Sequence, residues 1–151
     1  MLSTELPSPP TLIGPLTDFS RLPLPALRQR VACGFPSPAE DFFVEEDRLD
    51  LNTKLVANPA ATFLAWADTG GSMVDFGIQD GDLLVIDRSV RARHGHTVLV
   101  LWEGGFMVKK LDIQGGRIRL LASRGVPAIE VGEGVELDVW GVVRWSLTKH
   151  V

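Results

Sequence analysis

From residue 62 onward, apolar and polar positions fall into short runs bounded by glycine and other turn residues, which is the pattern of β-strands. The runs predict strands near residues 62–67, 82–87, 97–102, 105–111, 117–121 and 136–145. Glu103-Gly104-Gly105 reads as a hairpin turn, and Gln114-Gly115-Gly116 as the next. Val126-Pro127 and the glycine-rich 132–134 break the chain before the last strand. Several short strands with little helix predict a small, mostly antiparallel β fold, either a curled sheet or a partly closed barrel.

Upstream the pattern changes. Eight of the ten prolines lie within residues 1–38. Proline fixes φ and removes a backbone donor, so neither a long helix nor a central strand fits there. Leu12, Ile13, Leu16, Phe19, Leu22, Leu24, Leu27 and Val31 are spread along the same stretch. The stretch therefore reads as an extended arm with apolar anchors, able to lie in a groove on its own body or on a partner. A proline-rich tail without fixed structure is the competing reading. Ser37-Pro38-Ala39-Glu40 forms a capping box with proline at the first helical position and predicts a helix over 38–46. Residues 52–57 predict a further helical turn, stopped by Pro59.

The 151 residues suit one compact domain plus an arm. A net charge of −4 argues against strong direct binding of nucleic acid, which depends on many Lys and Arg facing phosphates. No apolar run reaches the ~18–20 residues of a membrane span, and no basic-then-apolar leader opens the chain. A cytoplasmic protein is expected. The single cysteine, Cys33, forms no internal disulfide.

Chemistry concentrates in residues 70–87, GGSMVDFGIQDGDLLVID. Two glycines ahead of Ser72 let the backbone adopt angles closed to other residues, and such a turn can push one hydroxyl outward while aiming amide N–H groups at a carbonyl oxygen. Ser72 is the candidate nucleophile, with Gly71 and Met73 as its turn and oxyanion support. A base is then needed. His94 and His96 lie in a polar turn between two strands, and His150 sits beside the C-terminus; none occupies a place that suggests an oriented imidazole. His94 and His96 lack clear further ligands, so no metal and no cofactor is expected. Lys109 and Lys110 lie inside the apolar strand 106–111, where alternation turns one of them inward. A partly buried lysine without an acidic partner loses charge stabilisation and can take a proton from a hydroxyl. Periodicity leaves the choice open: Met107 and Leu111 share a face with Lys109, Phe106 and Val108 with Lys110. A double lysine is also a common guard on an edge strand.

The motifs together resemble a known family. Cys33-Gly34-Phe35-Pro36-Ser37-Pro38-Ala39, Asp50-Leu51-Asn52, Gly71-Ser72-Met73, Asp80-Gly81-Asp82-Leu83-Leu84, His94-Gly95, Val108-Lys109-Lys110-Leu111 and Gly141-Val142-Val143 follow in order over most of the chain. In this combination they are similar to the UmuD family of SOS-mutagenesis proteins, within the LexA-type serine–lysine self-cleaving superfamily (peptidase S24-like). The resemblance implies a fold of the LexA C-terminal-domain type, with Ser72 as nucleophile and Lys109 as general base. It implies a scissile bond between Cys33 and Gly34, an arm 1–33 removed by self-cleavage, and a peptidase and dimerisation domain 34–151. It also implies a homodimer, stimulation by a RecA–single-stranded-DNA filament, and a trimmed form serving a UmuC-type error-prone translesion DNA polymerase, with the replicative sliding clamp as a further contact.

The residues agree with that chemistry, since Cys33 and Gly34 are small enough to enter a narrow site. Nothing basic nearby would make Cys33 itself reactive. The chain departs from the family at Gly71, where an acidic residue is common, at 66–70, which runs one residue longer before the serine turn, and at 122–126, whose loop does not match. Those departures keep open a second reading, a cleavage-deficient binding module of the same fold that regulates a polymerase or repressor. A repressor would need a DNA-reading domain that a proline-rich 33-residue arm cannot supply, and a signal peptidase would need a membrane anchor. Trp66, Trp102, Trp140 and Trp145 read as core or dimer packing, and Arg88, Arg91 and Arg93 as a solvated turn.

Overall fold

A computed structural model describes residues 21–26, 34 and 48–151. The chain divides into two compact units, one holding Asn58–Val151 and the other lying within Asp18–Ala57. Cys33 and the helix expected over 38–46 lie outside the described residues.

In the smaller unit, β1 (Pro23–Pro25) pairs antiparallel with β2 (Arg48–Asp50). Two prolines are tolerated because the sheet has only two strands, leaving one side of each without a ladder. A helical turn, α1, follows at Leu51–Leu55, slightly ahead of the expected 52–57. Asp50 caps it: the carboxylate accepts from the Thr53 N–H at 3.1 Å, from its hydroxyl at 2.8 Å, and from the Leu22 N–H at 3.3 Å.

The larger unit is an antiparallel sheet in the order β3-β4-β9-β5-β6-β7-β8. Its strands are β3 (Thr62–Trp66), β4 (Leu83–Asp87), β5 (Thr97–Trp102), β6 (Gly105–Gln114), β7 (Arg117–Leu121), β8 (Ile129–Val131) and β9 (Asp138–Leu147). The sheet stays open, so the curled form is the one adopted. Two tight hairpins fall where the glycines predict them. Trp102 pairs with Gly105 across Glu103 (φ 47°) and Gly104 (φ 80°), and Gln114 pairs with Arg117 across Gly115 (φ 56°) and Gly116 (φ 79°). Two central residues at positive φ give the turn whose twist matches the strands. β8 is not among the expected strands: Val126-Pro127 and 132–134 do break the chain, but the three residues Ile129–Val131 between them pair with β7.

Both faces of the middle strands are apolar. Ala65, Ala67, Met73, Ile78, Leu84, Ile86 and Leu99 form one buried cluster. Val98, Val100, Leu111, Leu120 and Val142 form the other, with Ile118, Ile129 and Val131 against it. Neighbours on β5 thus point to opposite cores, as strand alternation requires. No long helix covers either face among the described residues of this unit, so the sheet must coil to bury them.

β9 supplies bends for that coil. Against β5 its register skips Trp140, and against β4 it skips Arg144. Each skip is a β-bulge, which bends the strand and re-aims one side chain. Trp140 packs edge-on against Phe63 (5.1 Å) and Phe106 (6.0 Å), with the Arg88 guanidinium 4.4 Å from its ring centroid. Arg88 therefore does more than solvate a turn: its Nε also donates to the Trp140 carbonyl at 3.0 Å. Of the other tryptophans, Trp102 packs against the second core, whereas Trp66 and Trp145 are exposed.

Between the bulges, Gly141 is buried, and a β-carbon there would lie 2.6 Å from Ile86 Cγ2. Ile86 is fully buried and β-branched, so its methyl has no free direction in which to retreat. Gly141→Ala is expected to destabilise the unit by about 1–3 kcal/mol, lowering the melting temperature by ~2–4 °C per kcal/mol. Thermal denaturation followed by circular dichroism checks it, and an unchanged midpoint would show that the bulge relaxes freely.

Candidate functional site

The β3–β4 hairpin does not close on a short turn. Its ladder continues through Ala67, whose N–H donates to the Asp82 carbonyl and whose own carbonyl accepts from Gly81, both at 2.8 Å. Beyond that rung, residues 68–81 form a long loop, and Ser72 sits within it. Gly70 and Gly71 both lie in the left-handed region, at φ 56° and 77°. This explains the glycine at 71: the backbone angle, rather than space for a side chain, selects it, because a β-carbon placed there would meet nothing within 4 Å.

Several bonds fix the loop. The Ser72 N–H donates to the Thr69 carbonyl at 3.0 Å, and the Met73 carbonyl accepts from Phe76 at 3.0 Å and Ile78 at 3.2 Å. Met73 is fully buried in the first core and pins the residue after the serine. Thr69 donates to Asp80 through both its N–H and its hydroxyl, at 2.7 Å each. The Thr69 hydroxyl, then its N–H, hold the Asp80 carboxyl below its ordinary range. From the opposite side, Ser123 of the β7–β8 connection donates its N–H to the Ser72 carbonyl at 2.6 Å, and its hydroxyl accepts from the Asp75 N–H at 2.9 Å.

Beside this loop lies a cavity of about 420 Å³. One wall comes from the end of β3 and the serine loop: Trp66, Asp68, Thr69 and Ser72. The other comes from β6, through Phe106, Met107, Val108 and Lys109, with Leu84 and Leu99 also lining it. Ser72 and Lys109 are both half-buried. No hydrogen bond joins their side chains among the described residues.

The two neighbouring lysines of β6 have different surroundings. Lys109 lines the cavity with Ser72, whereas the Lys110 ammonium lies 5.7 Å from the ring centroid of Phe76. Desolvation pulls the Lys109 ammonium below the ordinary lysine range. Apolar neighbours on β6 and β5 are the physical cause, and no ion pair offsets them among the described residues.

The other candidates each take a place within their own unit. Gly34 is exposed at a bend in the smaller unit. His94 is at the surface near Asp112, its Nδ1 accepting from the Ile113 N–H at 3.1 Å, and His96 Nδ1 accepts from the Arg93 N–H at 3.2 Å. The His96 imidazole is thus tied into its own turn, and that of His94 to β6. No group of three or more potential metal ligands occurs among the described residues. Nor, among those residues, is any helix long and apolar enough to cross a membrane. Sequence reasoning missed Thr69, Asp80 and Ser123. Thr69 and Asp80 each precede a glycine and Ser123 stands two residues before one, a signal that marks a loop without saying what the loop will grip.

A family model described as peptidase S24-like matches residues 25–144. MucA of Salmonella typhimurium is 36% identical over 128 residues, covering 84% of this chain and 86% of MucA. SamA of Salmonella typhimurium strain LT2 is 38% identical over 138 residues, covering 91% of this chain and 94% of SamA. The LexA repressor of Dechloromonas aromatica is 36% identical over 125 residues, covering 79% of this chain and 60% of that protein. Since the family match spans the serine loop and β6 alike, the chain belongs to the peptidase S24-like family, with MucA and SamA as its UmuD-type relatives.

Proposed function

We propose that this protein cuts its own chain once, between Cys33 and Gly34, and that the trimmed form, residues 34–151, then serves an error-prone translesion DNA polymerase. The observation that carries the reading is one shared cavity: Ser72 lines one wall and Lys109, a lysine weakened as a cation by desolvation, lines the other. Neutral Lys109 accepts the Ser72 hydroxyl proton as Oγ bonds to the Cys33 carbonyl carbon. The tetrahedral intermediate collapses with loss of the Gly34 nitrogen, which takes the proton from Lys109. Residues 1–33 remain as an ester on Ser72 until water, deprotonated by the same amine, releases them. Since substrate and catalyst share one chain, the bond is present at high effective concentration, so a slow reaction suffices.

The wider role rests on the resemblance to the UmuD family and on the MucA, SamA and LexA relatives. In this reading the protein is a cytoplasmic homodimer. A RecA–single-stranded-DNA filament speeds the cut, and removing the arm changes the surface offered to a UmuC-type polymerase and to the sliding clamp.

The test is direct. Purified protein incubated from neutral to alkaline pH should yield a fragment whose N-terminus is Gly34, faster with an activated recombinase filament present. Ser72→Ala should abolish the cut, Lys109→Ala should slow it by about a hundred- to ten-thousand-fold, and Lys110→Ala only a few-fold. A stable, uncut parent under all these conditions would favour the binding module, and loss of cutting in Lys110→Ala alone would move the base to the neighbouring position.

The lowered Lys109 pKa also fixes a sign. The rate should rise with pH and level off below the ordinary lysine value of about 10.4. Between the folded and unfolded pKa values the unfolded chain binds more protons, so stability should also rise with pH there. In a Ser72→Ala background, Lys109→Met should therefore melt higher than the lysine form at neutral pH, with the gap closing as pH climbs through that window. Equal melting temperatures at neutral pH would show that the ammonium is fully solvated.

A further inference from the structure

The loop 122–126 departs from the family pattern, yet it grips the serine turn directly. It is a tight turn, closed by the Val126 N–H donating to the Ser123 carbonyl at 3.0 Å, with Gly125 in the left-handed region at φ 88°. That geometry presents Ser123 toward the serine loop. Three bonds then cross between the loops: Ser123 N–H to the Ser72 carbonyl at 2.6 Å, Asp75 N–H to the Ser123 hydroxyl at 2.9 Å, and Arg124 N–H to the Asp75 carboxylate at 2.7 Å. Ser123 is only 5% exposed, so water does not readily replace these bonds.

We propose that Ser123, with Asp75, is a positioning residue for the nucleophile, an inference that rests on the self-cleavage reading above. A peptide unit is planar and trans, so its C=O and N–H point in opposite directions. Holding the Ser72 carbonyl against Ser123 therefore sets the direction of the Met73 N–H and the Cα–Cβ axis that carries the Ser72 hydroxyl. Two glycines at positive φ precede the serine and do little to hold it in place. On one side the loop is held by Asp80 through Thr69; Ser123 supplies the restraint on the other. The two glycines and the crossing bonds belong to one design: a flexible entry to the serine, stiffened from a distant part of the chain.

Truncating the hydroxyl strands the Asp75 N–H while leaving Ser72 and Lys109 untouched. Ser123→Ala and Asp75→Ala should each slow self-cleavage about ten- to a hundred-fold, as expected for misplacement of a reacting group. The pH at which the rate levels off should stay that of the parent, because Lys109 is unaltered. Ser123→Thr keeps the hydroxyl and should recover most of the rate. The double variant should be no slower than the worse single one, since both cut the same link. Amide hydrogen exchange on the Ser72→Ala chain, with and without Ser123→Ala, gives a readout that needs no cleavage: the N–H groups of residues 72, 74 and 76 should exchange faster when the hydroxyl is gone. Unchanged exchange would overturn the clamp. Faster exchange with an undiminished cutting rate would overturn its role in positioning. A parent that never cuts would count against self-cleavage, and exchange alone would then decide whether Ser123 holds the loop.

Discussion

An ammonium held against apolar side chains, with no carboxylate paired to it among the described residues, is the constraint on which this site depends. Lys109 stands on β6 opposite Val98 of β5, beside a cavity lined by Phe106, Val108, Leu84 and Leu99. Water stabilises a cation better than these groups do, so the environment favours the neutral amine. The same surroundings would be an error in a purely structural strand, where a lysine at that position gains nothing from burial. An amine that gives up its proton easily has a use when a hydroxyl faces the same space. The stability cost and the chemical capacity are thus two descriptions of one placement.

That placement is made by the sheet as a whole. Ser72 comes from the end of the β3–β4 pair at one edge, and Lys109 from β6, with β9 and β5 between. A flat sheet would hold the two groups well apart, at ~4.8 Å per strand step. They line one cavity because the sheet coils. β9, with bulges at Trp140 and Arg144, contributes sharp bends at its centre. The Trp140 bulge also carries its ring against Phe106, which forms part of the cavity wall. Curvature and wall therefore share a residue, and Gly141 beside it admits the close approach of Ile86 that the bend demands.

What was legible in the sequence follows from which interactions are local. Strand periods and the two hairpins were readable because alternation and paired glycines act over a few residues. The turn at Ser72 was readable because two glycines before it announce special backbone angles. β8 was not, since three residues between chain breakers carry no periodicity; only pairing with β7 makes them a strand. The two lysines could not be separated by alternation, because both faces of β6 are apolar. Phe106 and Val108 pack into the first core and Met107 and Leu111 into the second, so alternation singles out neither lysine. Ser123 was invisible for a similar reason: its partners lie in a loop far back along the chain, and a serine before Arg124-Gly125 looks like any turn.

A single self-directed cut sets different demands from repeated turnover. The substrate never has to diffuse in, so binding energy is not the scarce quantity. What limits the rate is how often the hydroxyl, the amine and the carbonyl carbon occupy one productive arrangement. A loop entered through two glycines samples many arrangements, and each crossing bond removes some of them. Asp80 acts from within the loop through Thr69, whereas Ser123 acts from the β7–β8 connection, so the serine is held by the folded body as well as by its own segment. Such a site stays weak until the body is folded and its loops are in contact. Under the self-cleavage proposal, that dependence would guard against cutting during synthesis, because Ser72 is braced only once the β7–β8 connection is in place.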